Sequence, residues 1–162
     1  MSKPFIEQTK KPDSSAGPAG KTYSAKEPHT YKDPVNNPFH EFSSFNYVTV
    51  DSLGKIVAAN STSMSNLGFS EEELAGKPIL DIVHPNDRES VAERLKTSFE
   101  NPGVEYRWEA RKVKKDGSVI WARENAKTIR TDGGQVFTKI AGEDITQQKL
   151  ALSMLSMEKK VF

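Results

Sequence analysis

Glu124 is the residue of this sequence best placed to do chemistry. It shares the alternation of Ala122 and Ala126 in Ile120-Trp121-Ala122-Arg123-Glu124-Asn125-Ala126, so it falls on the side of a strand that small apolar residues mark as covered. A carboxylate there must be paired, hydrated or engaged by a ligand, because a lone buried charge is costly. Lys112, on the inner face of the preceding strand, is the candidate partner. As a buried general base Glu124 would need a set of partners, and the sequence shows none. Trp121 and Arg123 could be taken for a ligand clamp, but their alternation places them in a ladder on the outer face. Asp132-Gly133-Gly134 has the composition of a turn rather than a phosphate cradle. There is no Gly-rich phosphate loop, no Gly-x-Ser-x-Gly and no His-Glu-x-x-His. The chain has 0 cysteines, which removes disulfides, thiolate nucleophiles, zinc knuckles and iron–sulfur clusters together. The expected protein is not an enzyme and holds no metal.

The elements that position these residues begin near Phe42. Tyr47-Val48-Thr49-Val50 and Lys55-Ile56-Val57-Ala58-Ala59 are strand-like runs joined by Asp51-Ser52-Leu53-Gly54, a turn composition. Asn60 is a natural N-cap for a short helix carrying Met64 and Leu67. Ser70-Glu71-Glu72-Glu73 fits a capping box, and Gly76 and Pro78 stop the helix it opens. Asn86-Asp87-Arg88-Glu89 offers a second cap, followed by Val91, Leu95 and Phe99 on one helical stripe. Strands are expected over Val104–Lys114, Ser118–Arg130 and Gln135–Glu143. The order β-β-α-α-α-β-β-β predicts an antiparallel α+β fold.

Charge fixes the register of the long hairpin. A three-residue loop Lys115-Asp116-Gly117, with Gly117 left-handed, pairs Lys114 with Ser118 and keeps the two faces matched. It then opposes Arg111 to Trp121, Glu109 to Arg123, Arg107 to Asn125 and Glu105 to Lys127, with no like charges facing each other. Val104, Tyr106, Trp108 and Ala110 take the inner face, where Trp108 meets Glu124 and Tyr106 meets Ala126.

Residues 1–40 differ in texture. They hold six of the nine prolines and are otherwise rich in Lys, Ser and Gly, so they are expected to be a disordered leader, with Phe5, Tyr23, Tyr31 and Phe39 as isolated aromatics. Apolar residues make up 35% of the 162 and mean hydropathy is −0.64, in keeping with one domain plus a tail. A net charge of +1 gives no electrostatic case for nucleic acid or an anionic membrane. No signal-peptide core or transmembrane stretch is visible, so the expected location is the cytoplasm.

Four segments in order carry a family resemblance. Asn60 with Leu67-Gly68-Phe69-Ser70-Glu71-Glu72-Glu73-Leu74-Ala75-Gly76 resembles the first half of a PAS domain. Val83-His84-Pro85-Asn86-Asp87-Arg88 is similar to the family's His-Pro-x-Asp-Arg segment. Lys114-Lys115-Asp116-Gly117-Ser118 with Trp121, and Gly142-Glu143-Asp144-Ile145-Thr146, resemble its C-terminal half. The likeness runs from about Phe42 to Gln148. It implies a PAS-like five-stranded antiparallel sheet with helices cupped over one face, a domain over 41–146, and a C-terminal signalling helix over 147–162. It also implies a regulatory sensor or dimerisation module of a signal-transduction protein, such as a two-component system.

The same resemblance bears on cofactors. The light-sensing flavin branch carries a reactive cysteine where this chain has Ile79 after Gly76-Lys77-Pro78, and tends to carry a glutamine where this chain has Gly142. Haem-binding relatives usually supply a histidine from the long helix, and residues 87–99 contain none. His84 lies before that helix in a motif that members without haem share, so turn capping or surface packing is expected of it; His29 and His40 belong to the leader. No cofactor is therefore expected, which leaves a small diffusible ligand or an unoccupied cup. The candidate ligand pocket is Asn60, Tyr106, Trp108, Ala122, Glu124, Ala126 and Ile140. Ala122 and Ala126 leave room there; Tyr106 and Trp108 are large enough to fill it, in which case the chain is a constitutive interaction module.

Asp144-Ile145-Thr146-Gln147 caps the last helix, on which Leu150, Met154, Met157 and Val161 fall at coiled-coil spacing, with Ile145, Leu152 and Leu155 as a competing stripe. The expected partners are a second copy through this helix and a downstream domain: a second PAS module, a histidine kinase or a cyclic-dinucleotide enzyme. Glu158-Lys159-Lys160-Val161-Phe162 resembles the lead-in to a further module, which implies a piece of a longer protein.

Overall fold

The structure, a computed structural model, describes residues 43–160. The leader, with His29 and His40, and the last two residues, Val161 and Phe162, lie outside the described residues. Strands β1 (Asn46–Asp51), β2 (Ile56–Ala59), β3 (Glu105–Val113), β4 (Val119–Arg130) and β5 (Val136–Asp144) form one antiparallel sheet in the order β2-β1-β5-β4-β3. Between β2 and β3 lie helices α1 (Ser61–Leu67), α2 (Glu71–Leu74) and α3 (Arg88–Glu100), with 3-10 turns at Ile79–Ile82 and Pro85–Asp87. Helix α4 (Thr146–Lys160) follows β5.

Local chemistry sets these boundaries. Asn60 Oδ1 accepts from the Ser63 and Tyr47 amides, both at 3.0 Å, while its Nδ2 donates to the Phe45 carbonyl at 2.9 Å, so one side chain caps α1 and ties it to the entry of β1. Ser70 and Glu73 form the expected capping box at α2. Asn86 does not cap the long helix. Its amide donates to His84 Nδ1 at 3.2 Å within a 3-10 turn, and α3 starts two residues later, at Arg88. His84 thus serves the turn.

The hairpin register is the one that charge pairing requires, from Glu105 opposite Lys127 to Val113 opposite Val119. Gly117 has φ 86° and the Lys114 amide donates to the Ser118 carbonyl at 2.8 Å, which closes the three-residue loop. Val104 departs from expectation: it precedes β3 and is exposed, because the chain is still leaving the turn after α3.

Apolar side chains of the sheet's inner face (Val50, Ile56, Trp108, Ile140) pack against Leu74, Ile79, Ile82, Val91 and Leu95. Helix α3 also makes a polar contact with the sheet. Ser98 Oγ lies 2.8 Å from Thr128 Oγ1, which lies 2.6 Å from Thr138 Oγ1, and all three residues are fully buried. Satisfying one another's hydroxyls offsets the cost of removing them from water.

Both edges of the sheet are partly occupied. On β2, the Ile56 amide donates to the Lys77 carbonyl and its carbonyl accepts from the Gly76 amide. On β3, the Arg111 amide donates to Asp87 Oδ2 at 2.8 Å, its carbonyl accepts from the His84 amide at 2.9 Å, and the Arg107 carbonyl accepts from Arg94 Nη1 at 3.4 Å.

Candidate functional site

Strands β3, β4 and β5 bring Glu124 and Lys112 together inside the cup. Lys112 Nζ stands 2.9 Å from Glu124 Oε1, and Trp108 Nε1 donates to the same oxygen at 3.1 Å. Both charged side chains are about 7% exposed, so this ion pair is desolvated. Attraction between two such charges is strong, and so is the cost of burying them; the indole N–H reduces that cost by satisfying one more lone pair. Glu124 faces Gly142 on β5, where a Cβ would lie 3.7 Å from Glu124 Oε2.

Ala122, Glu124 and Ile140 line a cavity of about 20 Å³ together with Lys112, Ile120 and Gly142. That volume accommodates about one water molecule. The other expected pocket residues have different surroundings: Asn60 is spent on the α1 cap, Trp108 and Ala126 are buried in the core, and Tyr106 is partly buried against it. A larger feature does not follow from the sequence: an open groove of about 280 Å³ between the β1–β2 turn and α3, lined by Leu53, Pro78, Leu80, Ala92, Lys96 and Phe99. Its one signal in the sequence is Leu53, an apolar residue in the turn Asp51-Ser52-Leu53-Gly54. Among the described residues no cluster of His, Cys, Asp or Glu is arranged to hold a metal ion.

The second locus is on the outer face, where α4 leaves the sheet. Asp144 Oδ1 accepts from the Thr146 amide at 2.9 Å and from its hydroxyl at 2.6 Å, and Thr146 Oγ1 accepts from the Trp121 amide at 3.0 Å. The Ile145 amide donates to the Trp121 carbonyl at 2.9 Å. Ile145 is buried, so it anchors the helix and is not part of an exposed stripe. Beyond this anchor no residue of α4 is buried, and Leu150, Leu152, Met154, Leu155 and Met157 are all more than half exposed.

The outer face carries the expected ladder, with two changes. Arg111 lies over the Trp121 ring and Arg123 reaches Glu109 at 3.6 Å. Glu105, opposite Lys127, pairs instead with Arg107 at 3.3 Å. Arg111 is also clasped by Asp87, whose Oδ2 accepts from Arg111 Nε at 3.0 Å and whose Oδ1 accepts from Nη2 at 2.8 Å. These guanidinium bonds, opposed by desolvation and helped by the Arg111 amide, hold the Asp87 carboxyl down at about 2. Glu109 is also held below its ordinary value, mainly by its bond from Lys149.

A cupped antiparallel sheet with this order of elements matches a known family. The model of the PAS fold matches residues 56–141. Over 119 residues the chain is 31% identical to a sensor histidine kinase, TmoS, of Ectopseudomonas mendocina, covering 72% of this chain and 12% of that protein. It is 26% identical over 110 residues to a probable diguanylate cyclase, DgcE, of Escherichia coli K12, covering 67% of this chain and 10% of that protein. The crystal structure of a PAS domain from Colwellia psychrerythraea superposes with a TM-score of 0.62 at 25% identity, covering 68% of this chain and 93% of that one. The chain belongs to the PAS family. It spans about a tenth of the length of these curated relatives.

Proposed function

We propose that this chain is a regulatory PAS module that passes the state of a ligand or partner through α4 to an output domain. The observation that carries the reading is α4 itself: a helix fixed to the sheet by Asp144, Ile145 and Thr146, with its remaining apolar side chains in solvent. Such a helix is marginal alone and gains most of its stability by packing. The module pairs with a second copy through α4, and the helix continues toward a second PAS module, a histidine kinase or a cyclic-dinucleotide enzyme. The last two output types are supported by the activities named for the sequence relatives. No catalytic step is assigned to the domain, and its setting is the cytoplasm. Among the described residues no helix is long and apolar enough to cross a membrane.

In this reading the cup takes a small diffusible ligand with polar groups for Glu124 and Lys112, and neither haem nor flavin. A second reading, a constitutive interaction module with a filled core, is favoured by the small volume of the cavity. Native mass spectrometry of the purified chain separates the two: a co-purified small molecule supports the sensor and a bare chain supports the filled core.

Leu150→Lys with Met157→Lys tests the pairing. Charges forced into a buried seam cost several kcal/mol, while a helix with no buried residue tolerates them within one chain. The wild type is expected to dimerise weakly in analytical ultracentrifugation and the folded double variant to be monomeric. A wild type that stays monomeric at high concentration refutes the pairing.

A further inference from the structure

Two cations, one on β3 and one on α4, share one indole ring. The Arg111 guanidinium carbon lies 5.3 Å from the Trp121 ring centroid and Lys149 Nζ lies 4.6 Å from it. The two positive centres are therefore at most about 10 Å apart, close to one Debye length at 0.1 M ionic strength. Each brings its own carboxylate: Asp87, at the head of α3, clasps Arg111 through three hydrogen bonds, and Glu109 holds Lys149 at 2.9 Å. Trp121 also grips α4 through its backbone, at Ile145 and Thr146.

We propose that the Trp121 ring couples the Asp87–Arg111 clasp at the start of α3 to the seating of the first turns of α4. With the clasp closed, Asp87 neutralises Arg111, and the ring accommodates Lys149 as a second cation. With the clasp opened, an uncompensated guanidinium beside the ring repels Lys149, and the side-chain contact seating α4 weakens. The helical side of the cup thereby acts on the exit helix around the sheet edge, without a route through the buried core. The proposal rests on the reading of α4 as the output element and supplies its internal control.

Hydrogen exchange measured by mass spectrometry on the full chain tests the coupling. The Leu150→Lys, Met157→Lys background removes helix pairing as a source of protection. Lys149→Met is expected to raise exchange in the first turns of α4 about three- to tenfold, from the loss of its cation–π and ion-pair contacts. Asp87→Asn is expected to raise it by a smaller factor of about two, since it adds only a screened repulsion across the ring. Lys149→Arg restores protection. Adding Asp87→Asn to Lys149→Met is expected to have little further effect, because the clasp acts through that lysine. Unchanged exchange in α4 on Asp87→Asn, or fully additive effects, overturns the proposal. Sedimentation judges the pairing reading separately: a wild type that never dimerises sinks that reading and leaves an observed exchange coupling standing.

Discussion

Replacing Asp87 by Asn tests how much of the fold's stability rests on the clasp at Arg111. The Asp87 carboxyl titrates at about 2 instead of its reference 3.8. The sign follows from linkage: a carboxyl with a lowered folded value contributes stability that is complete above the unfolded value and is lost as pH falls through the folded one. At 1.36 kcal/mol per unit, the shift corresponds to roughly 2 kcal/mol at neutral pH. The pair is less than a third exposed, its side chains being 29% and 20% accessible, so solvent screening removes only part of this. With a urea slope of about 2 kcal/mol per molar, Asp87→Asn lowers the unfolding midpoint by about 1 M at pH 7. The difference between the two proteins cancels the carboxyls that the substitution leaves undisturbed, so its pH dependence reports Asp87. It is expected to shrink between pH 4 and pH 2 and to vanish below that. A difference that is constant with pH, or absent at pH 7, refutes the reasoning.

The buried pair gives a complementary expectation. Lys112→Met leaves Glu124 charged without its cation and destabilises by about 3–5 kcal/mol, whereas Lys112→Met with Glu124→Gln recovers most of the loss, because the Gln oxygen still accepts from Trp108; urea titration of both variants decides. Thr128→Val removes the middle member of a buried hydroxyl chain and costs about 1–3 kcal/mol, more than Ser98→Ala at the end of that chain, measured by thermal or urea unfolding.

Features fixed by short-range chemistry were legible in the sequence. Gly117 and the alternating charges between Glu105 and Lys127 specify the hairpin register, because a slip by one residue turns every side chain to the other face. Asn60 and the Ser70–Glu73 box declare their helices by side-chain-to-backbone bonds a few residues long. The Lys112–Glu124 pair was legible only as a shared inner face: the register sets Lys112 opposite Ile120, four residues from Glu124, so the contact needs the reach of both long side chains. Asp87 did not follow. Its position before a helix suggests capping, and only the approach of β3, 24 residues later, gives it a stronger partner in Arg111. Cavity size was also unreadable: Ala122 suggests space and Trp108 suggests filling, and the balance depends on how Leu67, Ile79 and Ile82 arrive from other elements. The α3 groove, likewise, exists only once the β1–β2 turn lies beside Phe99.

The occupied edges of the sheet bear on how the module survives crowding by its own kind. Modules in a dimer, or strung along one chain, meet at effective concentrations that reach the millimolar range. An open edge strand would then be a template for strand addition between neighbours, and so for aggregation. Strand β2 is only four residues long and is already bonded to Gly76 and Lys77. Strand β3 is longer, but Asp87, His84 and Arg94 occupy its outward groups at Arg111 and Arg107, while Glu105, Arg107 and Glu109 put charge along the remainder. The clasp that binds α3 to the sheet therefore doubles as a guard, and a variant that opens it is expected to form intermolecular β-structure on concentration before it loses its helices.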